Sequence, residues 1–299
     1  MPSTELANVT VVPSHLMNLQ NAPTVSVCIP VYRGTTFIGA AIESVLRQTF
    51  GDFELVIVDD NSRDSIEGVV GRSTDPRIRF IRNPTTLGAE GNWNRCLAEA
   101  RGRYFKILPQ DDVLAPDCLQ QQVAVLDNDA DARIALVFCA RTIIDASGRT
   151  LRSRGYPRGA SGVIGAKEAI LTCIRRGTNL FGEPGAVLFR RAHAEAVGGF
   201  DARGPYVIDL DYWFRLLELG DAYYVKDALA SFRVSGESWS VAIGKGQYAD
   251  FAALAKVTAA RRDFSGSRAD LLLGLAAARI NNLLRLVFYR LFVKRVALR

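Results

Sequence analysis

"VCIPVYRGTTFIGAAIESVLRQTFGDFELVIVDDNSRD", residues 27–64, decides the architecture: a short apolar run, an amphipathic stretch, and a second apolar run that stops on Asp59-Asp60. The runs "VSVCIPVY" (25–32) and "FELVIVDD" (53–60) are apolar on both faces, the pattern of strands inside a parallel sheet covered by helices. Between them Phe37, Ile38, Ala41, Ile42, Val45 and Leu46 recur at helical spacing. Together they predict a β-α-β unit.

The pattern repeats downstream. "RIRFIRN" (77–83) predicts a strand, "AEGNWNRCLAEA" (89–100) a helix, and "RYFKILPQDD" (103–112) a strand that again ends on paired acids. A helix over 116–127 and a strand over 134–140 follow. Such alternation specifies an α/β fold with a doubly wound, mostly parallel sheet flanked by helices. Its ligand crevice lies at the carboxyl ends of the strands, where both acid pairs fall. Beyond about residue 145 the alternation loosens: "SGRTLRSRGYPRGASGVIG" (147–165) reads as loop and edge strand, and 166–240 completes the sheet.

The 299 residues, 48% hydrophobic and 23% charged, are ordinary globular material. A net charge of +6 favours anionic partners such as nucleotides, phospholipid headgroups or phosphorylated lipids. Five cysteines without a CxxC spacing predict reduced core thiols in a cytosolic protein. Residues 1–23 lack a basic and then apolar signal pattern and read as a loosely held arm. Since no run of about 18 uncharged apolar residues occurs, no membrane-spanning helix is predicted. After Asp270 the chain has no acid, and Arg279, Arg285, Arg290, Lys294, Arg295 and Arg299 interrupt a strongly apolar helix. This amphipathic C-terminal extension suits a membrane surface, its own domain, or a second copy in a homodimer. The arginines spread widely around its helical wheel.

Several chemistries are excluded. There is no GxGxxG after the first strand, no GxxxxGK[ST] and no GxSxG, and His15 and His193 have no zinc spacing. Asp111-Asp112 should lie in a turn before a helix. Two adjacent carboxylates repel, and a hard divalent ion such as Mg2+ or Mn2+, shared with a substrate diphosphate, is their natural partner. A solvated turn with a helix-capping Asp is the alternative.

"VSVCIPVYRG", "SVLRQTFGDFELVIVDDNSRD", "NPTTLGAEGNWNRCLAEARGRYFKILPQDDVLAPDCL", "GAVLFRRAHAEAVGGFD" and "YVIDLDYWFRLLELG" together resemble, in order and spacing, the family 2 glycosyltransferases of the GT-A fold. The resemblance covers residues 24–240, with 24–115 as the nucleotide-binding half and 116–240 as the acceptor and catalytic half. Residues 241–299 form the helical extension. It implies that Pro30 and Tyr32 line the nucleotide base, with Asp60, or Asp59, accepting a hydrogen bond from base or ribose. Asn83, Gly88 and Asn92 fall in the loop beside that pocket, where Gly91-Asn92-Trp93 replaces the usual Ala-Arg-Asn. Asp111-Asp112 resembles the metal motif that holds Mn2+ or Mg2+, with Asp112 the direct ligand. Asp209 resembles the general base, Asp211 being the alternative. The segment "FRVSGESWS" (232–240) lacks the family's His and leaves Arg233, Ser238 or Ser240 for the diphosphate.

The resemblance thus implies an inverting, single-sugar transfer from a nucleotide-diphosphate sugar, UDP by default, to a glycan or lipid-linked acceptor. The protein would be cytoplasmic, peripheral at the inner face of the membrane, with no nucleic-acid partner. No Gln-x-x-Arg-Trp of a processive synthase is present. Two other readings are a sugar nucleotidyltransferase and a noncatalytic nucleotide-sugar or lipid-binding module. Glu183 is read either as an acceptor contact or as an arginine's partner. Trp213 is read as core and Trp239 as a site-mouth residue.

Overall fold

The computed structural model describes residues 22–235 and 246–290. Ser238, Trp239 and Ser240, the arm up to residue 21 and the basic residues beyond 290 lie outside them.

The opening unit forms as its pattern dictates. β1 (Val25–Val31) leads to α1 (Ile38–Leu46), which buries Ile38, Ala41, Ile42 and Val45, and then to β2 (Phe53–Asp59), buried at every position. A short α2 (Ile66–Val70), β3 (Ile78–Arg82), α3 (Gly88–Glu99) and β4 (Tyr104–Ile107) follow. β4 ends before the acids, contrary to the sequence expectation. Pro109 has no N–H to continue a ladder, and its carbonyl instead accepts from the Asp112 N–H at 3.1 Å, closing a turn.

β5 (Val113–Leu114), α4 (Cys118–Asp127), β6 (Ile134–Ile144), β7 (Thr150–Arg154), β8 (Gly162–Ile164) and α5 (Ala166–Arg176) come next. Then follow β9 (Val187–Arg190), α6 (Arg191–Val197), α7 (Ile208–Leu216), β10 (Asp221–Arg233), α8 (Gln247–Ala259) and α9 (Arg268–Phe288). The sheet runs β3-β2-β1-β4-β9-β6-β10-β5. It is parallel across β3-β2-β1-β4 and along the long β6–β10 pair, and antiparallel at β9 and the short peripheral strands.

All five cysteines are buried and free, and Trp213 sits in the aromatic core with Phe189, Phe200 and Tyr212. Lys106 crosses this interior fully buried and donates to the carbonyls of Gly185 and Val187 at 2.8 and 3.1 Å. It ties β4 to the turn that leads into β9.

α9 starts on a capping box between Ser267 and Asp270 and packs against α5. Contact is backbone to backbone: a Cβ on Gly274 would lie 2.1 Å from the Ile174 carbonyl oxygen. Asn281 completes the joint by donating to the carbonyls of Arg176 and Gly177. Outward, Leu272, Leu273, Ile280, Leu283, Leu284 and Val287 are 47–67% exposed. At 100° per residue they form a single apolar stripe, with Arg279 and Arg285 outside it. Arg279 and Arg285 stand 120° apart on the wheel, as the spread of arginines predicts, while the basic residues beyond 290 lie outside the described residues. By length and composition alone α9 is also apolar enough to cross a membrane, which the uncharged-run criterion did not register.

Gly274→Ala should therefore cost about 1–3 kcal/mol through overpacking. Urea unfolding monitored by far-UV circular dichroism checks this.

Candidate active site

Most of the predicted residues lie at or just beyond the strand ends, Asp209 in a helix, and they do different work. Asp60, 2% exposed, gives its carboxylate to the protein: Oδ1 accepts from Asn83 Nδ2 (2.9 Å) and the Leu87 N–H (2.8 Å), and Oδ2 from the Gly88 N–H (2.9 Å). A carboxylate at the start of α3 is favoured by the helix dipole. Asn83 also donates to Asn92 Oδ1 at 3.0 Å, and Asn92 donates to the Val58 carbonyl at 3.1 Å. Asp60, Asn83 and Asn92 thus lock β2, β3 and α3 together as the crevice floor.

Asp59 is fully buried, yet only Oδ1 is hydrogen-bonded, to the Ser62 N–H at 3.1 Å. Oδ2 has no hydrogen-bond partner among the described residues, and Arg82 Nε stands 3.6 Å away. Beside it Tyr32 is 44% exposed, its main chain bracketed by Gln110 through bonds of 2.9 and 3.2 Å. Gly34 leaves room for that side chain, since a Cβ there would meet Gln110 Oε1 at 2.2 Å. Pro30 lies partly buried one step back in β1.

Asp111 and Asp112 occupy the turn between β4 and β5. Asp112 is buried, and burial first, then the Asp111 charge, pushes its pKa well above the carboxylate range. Arg233, at the end of β10, organises this turn. Its N–H donates to Asp112 Oδ1 (2.8 Å), its Nε to the Asp111 carbonyl (2.8 Å), and its Nη1 to the carbonyls of Asp145 and Ala146. The sequence reading left the diphosphate to Arg233, Ser238 or Ser240; Arg233 braces the acid turn, and the two serines lie outside the described residues.

Asp209 stands in the first turn of α7, partly buried, accepting from the Leu210 N–H (2.7 Å) and Asn179 Nδ2 (2.9 Å). Enclosure in protein, with the Glu183 charge, pushes its pKa up to about 7. Asp211, by contrast, is paired with Arg215 at 3.0 Å, and Arg215 in turn holds the carbonyls of Val197 and Gly199. Glu183 forms a 2.5 Å ion pair with buried Arg141. Asp112, Arg141 and Glu183 line one narrow crevice, and the Glu183 charge acts on both Asp112 and Asp209.

No cluster of three metal-ligating side chains occurs among the described residues. Two adjacent carboxylates, one of them buried where its charge is disfavoured, still fit a hard divalent cation. Mg2+ in particular is commonly held by one or two carboxylates with substrate phosphates and water completing its shell.

The family model for glycosyl transferase family 2 matches residues 26–198, and the chain belongs to that family. It is 33% identical over 213 residues to the uncharacterized protein MT1568 of Mycobacterium tuberculosis, covering 65% of this chain and 62% of that one. Over 102 residues it is 35% identical to the Escherichia coli UDP-Glc:alpha-D-GlcNAc-diphosphoundecaprenol beta-1,3-glucosyltransferase WfgD, covering 34% and 40% of the two chains. The chain spans less than two thirds of the length of these relatives.

Two solved glycosyltransferases share the fold. S. aureus TarS 1-349 in complex with UDP-GlcNAc has a TM-score of 0.65 at 16% identity, covering 91% of this chain and 74% of that one. The mannosyltransferase PcManGT of Pyrobaculum calidifontis, in complex with GDP-Man and Mn2+, has a TM-score of 0.55 at 18% identity, covering 88% and 87%.

Two predictions follow from the geometry. Asn83→Ala leaves Asp60 and Asn92 each one donor short in a buried network and should cost about 1–3 kcal/mol in chemical denaturation. For Asp209 the folded pKa of about 7 lies above the ordinary value of 3.8. Between those values the native state alone holds the proton, so Asp209's contribution to stability is full below about pH 4 and is lost as pH rises through about 7. Comparing urea midpoints across that window should show wild type losing stability relative to Asp209→Asn.

Proposed function

We propose that this protein transfers one sugar from a nucleotide-diphosphate sugar, UDP being the expected nucleotide, to a hydroxyl of a glycan or lipid-linked acceptor, with inversion. The observation that carries this is the convergence of two differently tuned acids on Glu183. Asp112 sits in a fixed turn suited to a cation, and Asp209 has a pKa near 7, where a general base works best at neutral pH. The UDP-GlcNAc complex of TarS and the name of WfgD support the choice of nucleotide and of a lipid-linked acceptor.

In this reading the exposed ring of Tyr32 stacks on the base, with Pro30 behind it and Gly88 nearby, which, like Asn92, belongs to α3 and not to the loop the sequence predicted. Asp59 Oδ2 supplies the carboxylate contact to base or ribose, since the oxygens of Asp60 are engaged by Asn83, Leu87 and Gly88. Asp111 and Asp112 hold Mn2+ or Mg2+, which when bound neutralises the charge of the leaving nucleoside diphosphate. Asp209 takes the acceptor hydroxyl proton as that oxygen bonds to the anomeric carbon from the face opposite the breaking bond to the diphosphate. Asn179 and the Leu210 N–H hold the carboxylate in place for that transfer.

The apolar stripe of α9 sits on the face turned away from α5 and suits an interfacial position at the inner membrane surface. The chain is accordingly read as peripheral rather than spanning.

Calorimetric titration of UDP, GDP, dTDP and CDP, each with Mn2+ and with EDTA, tests the donor site. One nucleotide should bind with Mn2+, and Asp112→Ala should weaken it by at least about tenfold, the loss of one charge-assisted contact. Equal binding in EDTA, or by Asp112→Ala, would contradict the metal role. Binding of no nucleotide would contradict the transferase reading.

A further inference from the structure

The proposed transfer leaves a cluster of arginines around Glu183 without a role. β6 and β7 pair antiparallel with Arg141 opposite Arg154 and Ile143 opposite Arg152. Arg141, Arg152 and Arg154 therefore project from one face of this ribbon. Like charges directly opposite each other repel, so such an arrangement calls for a counter-charge. α9 brings a fourth cation. Arg285 lies over the Tyr206 ring, 4.9 Å from its centroid, and donates to Gln247 Oε1 at 2.7 Å, within range of the charges of Arg154 and Glu183.

The acids present do not balance these cations. Glu183 is committed to Arg141 at 2.5 Å, and Asp209, which also feels Arg141, is half protonated near pH 7. Among the described residues neither Arg154 nor Arg285 forms an ion pair with a carboxylate. Enclosure first, and then the charges of Arg141 and Arg152, lowers the Arg154 pKa. Its residue nevertheless remains open to solvent, and so to a ligand.

We propose that Arg154 and Arg285, backed by Arg141, form an anion subsite that takes the phosphate of the acceptor on the Glu183 side of Asp209. This rests on the transferase reading and deepens it, because it makes the acceptor a sugar phosphate or diphosphate ester rather than a neutral glycan. Guanidinium forks match phosphate oxygens bidentately. A phosphate at the anomeric position of the acceptor lies one ring away from its attacking hydroxyl, so a cation cluster adjoining the base suits that substrate. The Glu183–Arg141 pair then orients the arginine between base and phosphate.

The test is calorimetric titration of inorganic pyrophosphate, farnesyl diphosphate in detergent, and farnesol into the full chain with UDP at saturation to fill the donor crevice. The two anions should bind and farnesol should not. Arg154→Gln, a change at an exposed edge-strand residue, should weaken anion binding by at least about tenfold, and Arg154→Lys should recover part of it. UDP affinity should stay within about twofold in both variants. Farnesyl diphosphate binding more tightly than pyrophosphate would identify a lipid-linked source, whereas equal affinities would identify the phosphate alone. Failure of both anions to bind, or equal affinity in Arg154→Gln, would overturn the subsite. Failure of UDP, GDP, dTDP and CDP alike to bind would instead overturn the transferase reading, since the response of pyrophosphate to Arg154→Gln still reports on the cluster.

Discussion

Arg233 holding the acid turn is the interaction on which the site depends. Two adjacent carboxylates repel, and Asp112 does so while buried, so the turn has every electrostatic reason to open. Four contacts from one residue prevent this: the main-chain N–H meets Asp112, and the guanidinium gathers the carbonyls of Asp111, Asp145 and Ala146. Because Arg233 terminates β10, the longest strand, the position of the turn is inherited from the sheet. A brace of this kind holds the two acids in one arrangement, as the proposed cation role requires.

The same logic runs through the rest of the crevice. Asp60, Asn83 and Asn92 satisfy one another, leaving the exposed Tyr32 ring and Asp59 Oδ2, whose one partner is the Arg82 ion pair at 3.6 Å, as the less committed groups. Glu183 links the two halves electrostatically, raising the pKa of Asp209 while neutralising Arg141. Burial, more than any one neighbour, sets Asp209 near neutrality, the range the proposed role as a base at physiological pH calls for.

The repeating strands and helices were legible because burial on both faces of β2 and the helical spacing of α1 leave local signals. So was the placing of Asp59-Asp60, since a parallel strand must end at the ligand edge. The division of labour between them was not, because Asp60 is claimed by partners 23 to 28 residues away that no local pattern reveals. The bracing role of Arg233 was hidden for a similar reason: its guanidinium acceptors are main-chain carbonyls, and carbonyls carry no sequence signature. The end of β4 at Ile107 was readable from Pro109 but was outweighed by the apolar run before it. The single apolar stripe of α9 emerged only when its packing face against α5 was known, while Asp209 was separated from Asp211 by the pairing with Arg215.

The most direct test of the central claim is the rate of UDP-sugar consumption, followed by proton NMR from pH 5.5 to 8.5, for wild type and Asp209→Asn. If Asp209 is the base, the wild-type rate rises through a pKa near 7 and the variant is slower by about 100-fold or more while still binding UDP. A variant that keeps the wild-type rate and pH profile would contradict the account and place the base elsewhere.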